Sequence, residues 1–213
     1  MKFSMLVTPL LTIHITCGFT ALASSLGAML SPKGQSRHRR FGRFFFYGMT
    51  GVFITAIPLS IILKNQFLFL IAIFSYYLVL SGWRFAKNTD GVTSTLDYII
   101  SGTMLISSFI MIGFGLCTYN SAPTDAIILL VFGVISCTLS YSDLKAYRNH
   151  TVQGKNRIAL HLSAMLGATI AAITAFLVTN IHINPVIILW LGPTVLLTPV
   201  IVWWKRKVLN GKW

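Results

Sequence analysis

Residues 44 to 85 read FFFYGMTGVFITAIPLSIILKNQFLFLIAIFSYYLVLSGWRF, an apolar, phenylalanine-rich run broken once by Lys64-Asn65-Gln66. As one helix this stretch would run for ~60 Å at 1.5 Å per residue, about twice the ~30 Å hydrocarbon core of a bilayer. As two helices, each half fits. The polar break therefore has to be a tight turn between antiparallel spanning helices, and the parity of every later segment hangs on it.

Segments of the same kind continue on both sides. Spanning helices are expected at about 5–30, 44–63, 67–85, 97–119, 126–144, 158–179 and 186–204. Turn formers separate them: Ser31-Pro32-Lys33-Gly34, then Asn88 to Gly91, Asn120 to Asp125, Asn149 to Asn156 and Asn180 to Pro185. The expected fold is all-α, a polytopic transmembrane bundle of seven helices forming a single domain over residues 1–213. Composition demands a bilayer. Hydrophobic residues make up 55% of the chain and charged residues 10%, with a mean hydropathy of +0.76, whereas a soluble domain carries about 25% charged residues.

The charge is lopsided, with 17 Lys plus Arg against 4 acidic residues. Basic residues interleaved with apolar runs follow the positive-inside rule and give no nucleic-acid surface. The alternate regions after helices one, three, five and seven hold 5, 2, 4 and 4 Lys or Arg, and the intervening side holds Lys2 and Lys64. This 15-to-2 split predicts an outside N-terminus and a cytoplasmic C-terminus. Lys2, the first apolar run and Ala21-Leu22-Ala23 imitate a secretory signal. Against that reading, Lys33, Arg37, Arg39, Arg40 and Arg43 follow the run, which turns its C-terminal end towards the cytoplasm.

Small residues recur every four positions in the sixth segment, at Ala164, Ala168 and Ala172, and in the first, at Ala21/Ser25 and Ala23/Gly27. Such faces admit a neighbouring backbone, so helices one and six are expected inside the bundle and against each other. Leu68 and Ile128 are expected on less enclosed surfaces. Pro58, Pro193 and Pro199 should kink their helices, with Gly192-Pro193 the expected local opening. Cys17, Cys117 and Cys137 lie in apolar stretches without metal-ligand spacing and read as buried packing residues. Trp83, Tyr98, Tyr141, Trp203 and Trp204 fall where an aromatic belt would stand at the cytoplasmic ends.

No nucleotide-binding, metalloprotease or nucleophile-elbow motif occurs. Candidate chemistry rests instead on ionisable residues in or near the membrane, where charge is costly. His14 lies near mid-bilayer, and a neutral imidazole bonded to the next helix is its plain alternative. His38, Arg84, Asp97, Asp143 and His161 cluster at predicted cytoplasmic ends and form a candidate polar pocket. The plainer account is a set of ion pairs of the aspartates with Arg84, Arg40 or Lys145 that fix helix ends. The basic run Arg37-His38-Arg39-Arg40 with Arg43 reads as a loop able to contact anionic lipid headgroups.

His14 with Gly18, then Lys33-Gly34, His38-Arg39-Arg40 and Gly42-Arg43 leading into an aromatic helix form a recognisable pattern. It extends over Ser81-Gly82-Trp83-Arg84, His161 with Met165-Leu166-Gly167, Thr174 to Val178, and Trp190-Leu191-Gly192-Pro193. In these residues the chain resembles the bacterial membrane-protein family called domain of unknown function 2306. The family pattern has an Arg before the Met of the sixth helix, where Ala164 stands here. The resemblance implies a multi-pass protein of the bacterial inner membrane and implies no substrate or cofactor.

The expected function is that of a non-catalytic inner-membrane protein, a small carrier or an assembly partner in contact with the lipid bilayer, without a cofactor. The alternative is a haem b redox protein with helix-borne histidines as axial ligands. One haem held by both His14 and His161 is not expected, since the predicted helices set them at depths ~12 Å apart. A structural or lipid-interacting subunit is a third reading, drawn from the basic loops.

Overall fold

The structure is a computed structural model that describes residues 2–212, with side chains from residue 7 onwards, so the side chain of Lys2 lies outside the described residues. Seven α-helices follow one another: α1 (Lys2–Leu30), α2 (Ser36–Ile62), α3 (Gln66–Lys87), α4 (Thr95–Thr118), α5 (Pro123–Arg148), α6 (Gly154–Asn180) and α7 (Ile187–Leu209). All seven are long and apolar enough to cross a membrane. Among the described residues there is no strand. The chain is a polytopic, all-α membrane protein.

The turn that decides the count is built from three residues. Leu63 ends α2, Lys64 turns with φ 53°, and Asn65 starts α3. The Asn65 N–H donates to the Ser60 carbonyl at 2.8 Å and the Lys64 N–H to the Ile61 carbonyl at 3.1 Å. This pair of bonds is the Schellman closure, with a lysine where glycine is usual. Asn65 Oδ1 then accepts the Leu68 N–H at 2.9 Å and caps the next helix. The α5 end repeats the closure with His150 at φ 52°, Thr151 N–H to Ala146 O at 3.0 Å and His150 N–H to Tyr147 O at 3.1 Å.

Helix ends differ from the expected ones mainly where the chain is basic. Residues 36–43, read as a loop, form the first turns of α2, and α5, α6 and α7 also run past their apolar stretches. Apolarity marks the depth of the hydrocarbon, while straight-chain Arg and Lys extend a helix into water. Pro123 and Asp125, also read as loop, are the first turn of α5, with proline at the helix start. Pro58, Pro193 and Pro199 all sit inside unbroken helices, so no opening exists at Gly192-Pro193. Losing one donor to proline leaves the neighbouring backbone bonds in place.

Two compact units divide within α3: Met1–Tyr76 and Tyr77–Trp213. In the first, α1 packs on α2 so closely that a Cβ on Gly48 would lie 3.0 Å from the Ala21 nitrogen and the Cys17 carbonyl. Cys17 Sγ fills the space above Gly51. Tyr76 stacks on Phe53 with centroids 4.3 Å apart. The outer face of α1 carries exposed threonines at 8, 12, 16 and 20, yet the hydroxyls of Thr12, Thr16 and Thr20 return to carbonyls four residues back at 2.8 to 2.9 Å. Such back-bonding lets a polar side chain face lipid.

In the second unit α4 and α5 meet at glycines, Gly115 against the Ala126 carbonyl and Gly133 against Ile112. α6 places Ala164 and Met165 against Gly82 of α3, while Gly167 rests beside Leu78. The small residues of α1 and α6 thus mark close approaches, to α2 in the first unit and to α3 in the second. The buried share of the span is 17% for α1, 44% for α3 and 6% for α7. Ile128, expected on a less enclosed surface, is fully buried, whereas Leu68 is exposed. Cys117 is exposed and Cys17 and Cys137 half-buried, so the cysteines are not core residues.

Candidate functional site

The second unit gathers most of the candidate residues at one end, where α3, α5 and α7 finish and α4 and α6 begin. Gly91 turns there with φ +74°, and a Cβ on it would strike the Gln153 side chain, so the α3–α4 and α5–α6 connections are in contact. Phe85, Tyr147 and Val152 form a buried cluster beneath, with Leu144 and Leu160 around it. Tyr98 packs edge-on to Tyr147.

Arg84 and Asp97 form an ion pair through Nε and Oδ1. Asp97 occupies the first turn of α4 and accepts the Ser94 N–H at 2.8 Å and the Ser94 hydroxyl at 3.0 Å on Oδ2. Arg84 Nη2 donates to the same Ser94 Oγ at 2.6 Å. The three side chains close a ring in which Ser94 accepts from the arginine and donates to the aspartate. An acidic group is favoured at this helix start and a basic one at the end of α3.

Deeper in the unit, Tyr77 Oη donates to Asp143 Oδ2 at 2.7 Å. Both residues are buried, Tyr77 to 5% exposure and Asp143 to 7%. A phenol thus stands where a pairing with Arg84, Arg40 or Lys145 was expected. One turn along α3, the Ser81 hydroxyl lies beside that of Tyr77, and one turn along α5 the Tyr147 hydroxyl lies beside that of Ser101. Ser81 Oγ and Ser101 Oγ are buried, and apart from these tyrosine hydroxyls, with which they are not well aligned, they reach no hydrogen-bond partner. The sequence pointed to none of Tyr77, Ser81, Ser101 and Tyr147 as a site residue, and Ser81 entered only through the family resemblance. The signal was the four-residue spacing of Tyr77 with Ser81 and of Asp143 with Tyr147, which sets polar groups on one face of an otherwise apolar helix.

His161 faces Gly82, and since a carbonyl can only accept, its Nδ1–H donates to Gly82 O at 2.8 Å. Arg157, one turn earlier on α6, donates from Nη1 to Phe85 O at 2.9 Å and Ala86 O at 3.0 Å. It caps the carbonyl end of α3, as a cation at a helix C-terminus does. An open depression of about 340 Å³ lies outside this end, lined by Trp83, Arg84, Lys87, Asn88, Asp90 and Val92.

His14, His38 and Arg40 belong to the first unit. The Thr55 hydroxyl gives its proton to Gly51 O at 2.7 Å, so His14 Nδ1–H donates to Thr55 Oγ1 at 2.9 Å. His38, helical rather than in a loop, donates from Nδ1 to Ala28 O at 3.0 Å. Lys33 reaches Met29 O at 2.5 Å and Ser31 O at 3.2 Å, and burial lowers the pKa of its ammonium. These two side chains close the carbonyl end of α1. Arg40 stands over the Phe44 ring at 6.0 Å. The seven candidates therefore form one direct pair, Arg84 with Asp97, while Asp143 and His161 hold separate partners in the same unit.

Among the described residues no group of three or more His, Cys, Asp or Glu side chains could hold a metal ion. Comparison with protein-family models, curated proteins and solved structures finds no match.

Proposed function

We propose that the protein is a small carrier of the bacterial inner membrane, with its N-terminus outside, its C-terminus cytoplasmic, and the Tyr77–Asp143 cluster as its working site. The resemblance to a bacterial multi-pass family and the 15-to-2 division of basic residues support the location and orientation. Arg37, Arg39, Arg40 and Arg43 are exposed and suit anionic headgroups on the cytoplasmic side, each contributing ~1 kcal/mol near such a surface.

One observation carries the carrier reading. Ser81 Oγ and Ser101 Oγ are buried beside the Tyr77 and Tyr147 hydroxyls, and neither makes a well-aligned hydrogen bond. A poorly paired buried hydroxyl costs up to about 1 to 3 kcal/mol, which a protein acting only through its exterior has no reason to bear. A carrier does, because the site must open to water or solute in part of its cycle.

Single cysteines at Ser81 and Ser101, in a chain lacking Cys17, Cys117 and Cys137, test this. A membrane-impermeant maleimide should react with both positions in right-side-out or inside-out vesicles. Absence of reaction from either side would leave a sealed structural cluster and end the carrier reading.

A further inference from the structure

The Tyr77–Asp143 contact lacks the partner that a buried carboxylate normally has. Arg84 is committed to Asp97 and Ser94, and Arg157 to the end of α3. The groups whose charge or hydroxyl bears on Asp143 are Tyr77 from α3, Asp97 from α4, Tyr147 on its own helix and Lys205 from α7. Of these, Tyr77 makes the hydrogen bond. A carboxylate so placed either keeps its charge at a cost in desolvation or takes up a proton.

The surrounding hydroxyls favour the proton over a metal cation. A hard metal ion needs several oxygens converging on one point. Here the oxygens are strung out: Ser81 beside Tyr77, Tyr77 bonded to Asp143, and Ser101 beside Tyr147 one turn further along α5. Ser81 Oγ, buried beside the Tyr77 hydroxyl and without a well-aligned bond of its own, stands where it can accept or donate at the end of the string Ser81, Tyr77, Asp143.

We propose that Asp143 is a proton-binding site, loaded and emptied through the hydroxyls of Tyr77 and Ser81. A proton from water at the basic end of the unit passes along the hydroxyls to a carboxylate oxygen and later returns by the same groups. No electron moves and no other bond changes. The carrier reading gives this proton its use, as the coupling ion, but the proton's binding can be tested without transport.

Infrared difference spectroscopy of the purified full chain offers an unusually clear view, because all four acidic side chains are aspartates: Asp90, Asp97, Asp125 and Asp143. Asp90 and Asp125 are exposed, and Asp97 is held by Arg84. Cycling the pH should produce a narrow carbonyl band of a buried protonated carboxyl, distinct from the broad signal of water-exposed aspartates and moved by 13C-labelled aspartate. Asp143→Asn should abolish that band. Tyr77→Phe should keep it but raise its frequency, because the carboxyl loses its donor. Absence of a narrow band in the native chain, or its survival in Asp143→Asn, would overturn the proposal. If Asp143→Asn does not fold, a band frequency unmoved by Tyr77→Phe would do the same. Loss of the band leaves the cysteine test of the carrier reading intact, whereas a titrating Asp143 in a chain whose Ser81 and Ser101 positions never meet water would sink the carrier and keep the proton site.

Discussion

Replacing Arg84 with methionine keeps most of the side-chain stem and removes the guanidinium. Asp97 then loses the donor on Oδ1 but keeps the Ser94 N–H and hydroxyl on Oδ2, and Ser94 loses the donor at 2.6 Å. Stripping one partner from a fully buried pair costs about 3 to 5 kcal/mol. Asp97 meets that condition with a side chain 6% accessible, but Arg84 is 27% accessible, so water can reach part of the gap. The expected loss is therefore smaller, about 2 to 3 kcal/mol. Adding Asp97→Asn removes the stranded charge and should bring the total loss down to roughly 1 kcal/mol. For a chain of this size the melting temperature should fall by ~5 to 10 °C in Arg84→Met and by only ~2 to 4 °C in the double variant. Thermal unfolding in detergent, followed by size exclusion, measures both. A double variant that melts at or below Arg84→Met would show that the pair is uncoupled and that the closed ring with Ser94 does not hold α3 to α4.

Helix packing in the first unit is tested by Gly48→Ala, which puts a Cβ 3.0 Å from two backbone atoms of α1 and should cost about 1 to 3 kcal/mol. Gly102→Ala, with nothing within 4 Å of the new atom, should be neutral or gain up to ~1 kcal/mol, and equal losses at both sites would count against the close α1–α2 approach. Orientation is read by fusions of a reporter active only outside the cytoplasm: signal is expected in the 64–66 turn and near residues 122 and 183, and a cytoplasmic 120–125 loop would break the seven-helix assignment.

The sequence shows where the helices lie more clearly than where they end. A spanning segment is legible because about 20 apolar residues have no other stable use, and all seven such runs became helices. The ends are illegible for the opposite reason, since the backbone continues its hydrogen bonds through Arg37 to Arg43 after the apolar signal has stopped. Lys64-Asn65-Gln66 announced a turn, yet nothing local said that a lysine would take the left-handed position, because the closing bonds come from Ser60 and Ile61 of the preceding helix. In the site, Arg84 with Asp97 was within reach of simple charge matching. Tyr77 with Asp143 was not: 66 residues separate them, and a tyrosine in an aromatic helix passes for bilayer filler.

The contrast between the two units bears on where function resides. Polar side chains in the first unit are settled locally: the α1 threonines return to their own carbonyls, His14 donates to Thr55, and His38 and Lys33 close the end of α1. Each such bond removes a reason for water or solute to enter. Among the described residues, the buried hydroxyls left without a well-aligned partner are those of Ser81, Thr93, Ser101 and Thr174, and all four belong to the second unit. Ser136 and Ser140, in the same α5 helix as Asp143, show that this unit can also satisfy its serines through back-bonding at 2.6 and 2.7 Å. Ser81 and Ser101 differ from Thr93 and Thr174 in their neighbours, the Tyr77 and Tyr147 hydroxyls, of which the first is bonded to Asp143 and the second lies one turn from it on α5. An acidic side chain buried in a spanning helix beside such hydroxyls is the ground on which the proposed working site is placed in the second unit rather than at His14.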